Sequence, residues 1–114
     1  MAKYEQSLTG DFDAFLGYLD QAILKGSLSA SFEDGSNLNL GAIRLAVRVY
    51  ERYSMMGGNR VSLNLTLLGS GQDLFLTAIT AGGSQALLFK INTLGEEAFL
   101  GQCRLAVERY LAGG

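Results

Sequence analysis

Residues 41–60 read GAIRLAVRVYERYSMMGGNR, and the way this stretch is folded decides how the rest of the chain is organised. Arg44, Arg48 and Arg52 recur every fourth residue among apolar and aromatic neighbours. A spacing of four keeps side chains on one side of a helix and on one side of a strand, so the arginines alone do not discriminate. Their neighbours do. Ile43, Leu45, Val47 and Val49 alternate with Arg44, Ala46, Arg48 and Tyr50, and β-branched and aromatic residues suit a pleated surface. Wound as a helix, the same residues would be apolar almost all round. The stretch is predicted to be a strand, with its arginines ~13 Å apart along one face instead of ~6 Å per helical turn. Leu38 and Leu40 have the opposite parity to Ile43, which places a bulge or bend at Gly41-Ala42.

Working outward, four further runs read as strands. SLSASFE (27–33) alternates Leu28, Ala30 and Phe32 against serines, and Asp34-Gly35 after it is a hairpin signal. VSLNLTLL (61–68) alternates Val61, Leu63, Leu65 and Leu67 against Ser62, Asn64 and Thr66. Gly69-Ser70-Gly71 turns the chain into DLFLTAITA (73–81), and Gly82-Gly83 turns it into SQALLFKIN (84–92). KYEQSL (3–8) is a short additional strand.

Two segments carry helical periodicity. In DFDAFLGYLDQAILKG (11–26), Phe12, Phe15, Leu16, Leu19, Ile23 and Leu24 form one stripe, Asp11 is an N-cap, and Lys25-Gly26 closes the helix. In TLGEEAFLGQCRLAVERYL (93–111), Thr93 and Glu96 form a capping box. Its stripe is Phe99, Leu100, Cys103, Ala106, Val107, Tyr110 and Leu111. The order β-α-β-β-β-β-β-α predicts a single α+β domain over residues 1–114. Its antiparallel meander sheet of about five strands is covered on one face by two helices. That element order resembles TATA-binding-protein-like and helix-grip folds.

The composition narrows the chemistry. The chain has 114 residues, no His, no Pro and one Cys. Without His the commonest general base, the Ser-His and Cys-His pairs and most zinc sites are missing. Cys103 falls on an apolar helix stripe, as a buried structural cysteine does. The pairs Asp11/Asp13 and Glu96/Glu97 complement helix dipoles and have no partners at metal-loop or acid/base spacing. Gly57-Gly58-Asn59-Arg60 and Gly82-Gly83-Ser84-Gln85 each precede a strand-like run, so they read as hairpin turns and not as phosphate loops. These features predict no enzyme, no cofactor and no metal.

A formal charge of −2 disfavours nucleic acid as a partner. No apolar run is long enough to span a membrane and the N-terminus has no signal-like apolar segment, which predicts a cytoplasmic protein. With the strands paired as neighbours, Ser29, Ser31, Arg44, Arg48, Tyr50, Arg52, Asn64 and Thr66 are expected on one sheet face. Arg44, Arg48, Tyr50, Arg52 and Asn64 form its candidate binding set, since Arg and Tyr are enriched at binding hot spots. Leu74–Leu76 and Leu87–Phe89 do not alternate, so that end of the sheet is apolar on both faces. A homodimer joined there accounts for the pattern most simply. The alternative is a small apolar or anionic ligand held between the sheet and the C-terminal helix.

The stretches AVRVYERYS, GGNRVSLNLTL and TAITAGGSQALLFKINTLGEEAFL resemble a family of short bacterial proteins known only as a domain of unknown function. The resemblance implies a compact standalone protein and supplies no activity, cofactor or catalytic residue.

Overall fold

A computed structural model describes residues 1–53, 59–82 and 89–113. Its elements are β1 (Ala2–Thr9), α1 (Phe12–Lys25), β2 (Ser31–Leu40), β3 (Ile43–Tyr53), β4 (Arg60–Ser70), β5 (Asp73–Gly82) and α2 (Phe89–Leu111). The fold is α+β. Five antiparallel strands form one sheet in the order β1-β5-β4-β3-β2. Strands β2 to β5 are a meander, and the short N-terminal strand closes the sheet beside β5. Helix α1 carries the chain from one edge strand to the other.

The first helix forms as its sequence dictates. Asp11 caps it, accepting a hydrogen bond from the Ala14 amide, and Phe12, Phe15, Leu19 and Ile23 are buried. Gly26 is needed for a different reason than the usual left-handed cap, because its backbone is right-handed (φ −77°). A Cβ there would lie 1.6 Å from the Gln102 side-chain nitrogen, so glycine permits α2 to approach the end of α1.

Several boundaries differ from expectation. Residues 27–30 turn instead of forming a strand. The Ser27 hydroxyl accepts from the Ser29 amide, and the Ser29 hydroxyl accepts from the Tyr53 amide. Serine side chains have here taken over backbone partners that a strand would use. Asp34-Gly35 lies inside β2, next to a bulge at Glu33, and the β2–β3 hairpin turns at Gly41-Ala42. Gly41 and Gly71 both have φ of +60°, each at the first central position of a two-residue hairpin loop, where a type II′ turn requires glycine. Leu40 pairs with Ile43 across the first of these loops, so Leu38, Leu40, Ile43 and Leu45 come to one face.

Helix α2 starts at Phe89, within the run expected as a final strand. Thr93 therefore stands inside the helix and not at its cap. The expected strand residues 84–88, and the Gly83 turn position, lie outside the described residues. The sheet nevertheless has five strands, because the N-terminal run supplies the fifth.

Both helices cover the same face. Leu8 of β1, Ala46 and Tyr50 of β3, Val61, Leu63, Leu65 and Leu67 of β4, and Leu74, Leu76 and Ala78 of β5 are buried beneath them. Phe99, Leu100, Cys103, Ala106 and Val107 of α2 complete the core. Gly69 makes room for the Phe12 ring, which would lie 2.6 Å from a Cβ at that position.

The candidate interaction face

The register of β3 against β4 decides which side chains share a face. Arg48 pairs with Leu65, Tyr50 with Leu63 and Arg52 with Val61. The arginine side of β3 is therefore continuous with the leucine side of β4 and faces the helices. Arg44, Arg48, Tyr50 and Arg52 do not share a face with Asn64, which pairs with Val49 on the opposite side. This corrects the expectation that the five residues form one polar face. Thr66 pairs with Val47 and Ser31 with Glu51, so both also belong to the other side.

Beneath the helices, each arginine fastens one boundary of the core. Arg44 lies over the Phe12 ring at 4.2 Å and grips Asp13 with two hydrogen bonds, of 3.0 and 2.8 Å. That grip holds the Asp13 carboxyl below its ordinary acidity range. Arg48 donates to the Ser36 and Val47 carbonyls and to Asn37 Oδ1, lying across Gly35. Arg52 lies over the Phe99 ring at 4.5 Å and donates to Gln102 Oε1 at 2.8 Å. Gln102 in turn donates to the Ala22 and Ile23 carbonyls at the end of α1. An arginine suits these margins because its stem can cover apolar surface while its fork satisfies several acceptors.

Tyr50 and Glu96 are likewise engaged. The buried Tyr50 donates to Asp20 at 2.7 Å, and burial with that bond raises the phenol's pKa. Glu96, nearly buried, accepts from the amino group of Met1 at 2.8 Å and from the Gly82 amide at 2.6 Å. It joins the start of β1, the end of β5 and α2. Burial pushes the Cys103 thiol up to about 12, so it carries no thiolate near neutrality.

Among the described residues, no helix lies on the opposite sheet face. One cross-strand row runs Leu38, Leu45, Leu68, Phe75 and Ser7 from edge to edge. Beside it Leu40 pairs with Ile43, and the following rows contain Val47 with Thr66 and Thr77, then Val49 with Asn64 and Ile79. Leu38, Leu40, Ile43, Leu68 and Phe75 are 53%, 70%, 39%, 41% and 38% exposed, a large uncovered fraction for such side chains. At the end of the sheet this apolar area meets a groove of about 880 Å³ lined by Leu68, Phe75 and Leu111 together with Ser7, Ser70 and Asp73.

A model of a family of unknown function, DUF6054, matches residues 1–111. The chain belongs to the DUF6054 family. No curated protein matches it, and no solved structure does. DUF6054 thus brings no established activity to this chain, and the site has to be read from its own side chains.

The charges of this DUF6054 protein stand at the margin of the open face. Lys3 and Glu5 are on the β1 edge and Asp34 is on the β2 edge. At one end Arg60 pairs with Glu51 and Glu33. Between them the middle strands present Leu45, Val47, Val49, Asn64, Thr66, Leu68, Phe75, Thr77 and Ile79. An apolar and hydroxyl-bearing centre with charges at the rim is the anatomy of a protein interface. Of Leu74–Leu76 only Phe75 reaches this face. Leu87 and Leu88 lie outside the described residues. The missed signal was the phase of Leu38 and Leu40 with Ile43 and Leu45 across a two-residue turn.

Proposed function

We propose that this protein is a noncatalytic interaction module that works as a homodimer through the open face of its sheet. The observation that carries the reading is the uncovered row Leu38, Leu45, Leu68 and Phe75, spanning four adjacent strands without a charge. Monomeric proteins rarely expose an apolar patch of that extent. The area supports a whole-face contact. Five strands ~4.8 Å apart and about nine residues long at ~3.3 Å per residue cover on the order of 700 Å². Two copies would bury roughly twice that, within the ~1,200–2,000 Å² of stable protein–protein interfaces.

Two observations favour this over a ligand held between the sheet and α2. Phe99, Cys103 and Val107 on the helix and Leu65 and Ala78 on the sheet are already fully or almost fully shielded. The arginines available to select an anion are already bonded to Asp13, Asn37 and Gln102.

Native mass spectrometry and sedimentation equilibrium test the dimer. The parent protein is expected at twice the chain mass and Leu68→Glu at the single chain mass, with an unchanged circular dichroism spectrum. A parent that stays monomeric from nanomolar to tens of micromolar concentration overturns the reading.

A further inference from the structure

The open face also carries information about how a second copy would sit on it, an inference that rests on the homodimer reading above. One row of the sheet begins with Asp34 on the β2 edge, passes through Val49, Asn64 and Ile79, and ends with Lys3 on the β1 edge. Opposite charges therefore stand at opposite ends of a single row. Asp34 is exposed and its carboxylate meets only the neighbouring Gly35 amide among the described residues. Lys3 is exposed too, with Glu5 of its own strand at 3.9 Å.

Two arrangements bring the open faces of two identical sheets together with their strands aligned. A two-fold axis across the strands would invert the rows. The Leu38–Leu45–Leu68–Phe75 row would then approach the charged end of the partner, near Glu51 and Arg60, and carboxylate and guanidinium would be buried against leucine at high desolvation cost. An axis parallel to the strands and above β4 keeps each row facing itself in reverse. Leu45 then meets the partner's Phe75, Val49 meets the partner's Ile79, and Lys3 meets the partner's Asp34 at both rims.

The middle of β4 suits a position on the axis, where each side chain meets its own copy; Arg60, at the end of the strand, has its charge countered by Glu33 and Glu51 of its own chain. Asn64 and Thr66 each carry donor and acceptor atoms, so each can bond to an identical group, and Leu68 packs on itself. A charged residue at these positions would repel its own image.

We infer that the homodimer is a face-to-face sandwich whose two-fold axis runs along β4, with Lys3 of each copy opposite Asp34 of the other. The sheets lie ~10 Å apart in such a packing.

Charge swapping tests the register, and cross-linking tests the axis. Lys3→Asp and Asp34→Lys are each expected to weaken the dimer roughly tenfold, because each reverses two rim pairs per dimer. The double variant K3D/D34K should return to within about threefold of the parent, since both pairs are remade with inverted signs. Thr66→Cys, treated with a short bismaleimide, should cross-link to a dimer in high yield. Ser7→Cys should not, its copies being separated by the width of the sheet. Cys103 is buried and leaves the engineered thiol as the accessible one. A dimer that is indifferent to both charge reversals, or that cross-links at Ser7→Cys and not at Thr66→Cys, overturns the register and leaves the homodimer reading standing. A monomeric parent removes both.

Discussion

Leu67 and Leu68 are neighbours on one strand, yet they belong to different environments. Leu67 is fully shielded beneath the helices, while Leu68 is 41% exposed on the uncovered face. On β3 the covered side carries three arginines and a tyrosine, and the uncovered side carries isoleucine, leucine and valine. Polarity along β3 alone would have assigned its faces the other way round, whereas on β4 the covered side is the leucine-bearing one. What separates them is how each polar group is provided for. Every arginine on the covered face sits at a margin where its stem packs and its guanidinium finds acceptors, and Tyr50 finds Asp20. The small Ala46 and the ring of Tyr50 fill the positions between them. On the open face the apolar side chains have no such provision among the described residues.

This contrast can be broken most directly on β4. Leu67→Ala should cost about 2–5 kcal/mol of unfolding free energy, as for other buried leucines. Leu68→Ala should cost less than about 1 kcal/mol when unfolding is measured at a protein concentration low enough to populate the monomer. Urea denaturation of both variants checks the pair, and equal losses would mean that the faces are not distinct.

The next pair along the same strand gives a smaller effect. Gly69→Ala forces a methyl into the Phe12 ring and should cost about 1–3 kcal/mol, the range for overpacking. Ser70→Ala, on the exposed face, should lie within about 0.5 kcal/mol of the parent. Thermal melts would show the first shifted and the second unmoved.

A third effect is in the pH dependence of the covered face. The buried Cys103 keeps its proton up to about 12, whereas a free thiol releases it near 8.5. Its folded pKa is raised, so its contribution to stability is complete below about pH 8.5 and is lost as the pH rises from there towards 12. Tyr50 shifts in the same direction and adds to the loss at the alkaline end. Denaturation midpoints should therefore fall above pH 8.5, less steeply in Cys103→Ala. At pH 8 the native thiol should react with an aromatic disulfide reagent only as fast as the protein opens.

Much of this architecture was legible in the chain itself. The caps and stripe of α1 were readable because Asp11 and the 3/4 spacing of Phe12, Phe15, Leu19 and Ile23 are local signals. The alternation in 43–50 and 61–68 marked two strands for the same reason, and the glycines flanking 73–81 marked a third. The hairpin at Asp34-Gly35 was misplaced because a bulge at Glu33 keeps the strand paired past a good turn dipeptide. The start of α2 was misplaced because a short apolar run such as ALLFKIN has no period that separates strand from buried helix.

The candidate site was less legible, and the reason is physical. Alternation along a strand divides its side chains into two sets but does not say which set is covered. That depends on the register with the next strand, and a one-residue change of register exchanges the faces. The residues from Ile43 to Tyr53 by themselves determined a strand with arginines on one side and aliphatic residues on the other. Only the pairing of Arg48 with Leu65, and the placing of both helices over that side, decided that the arginines would tie the core together and the aliphatic side chains would be left outside it.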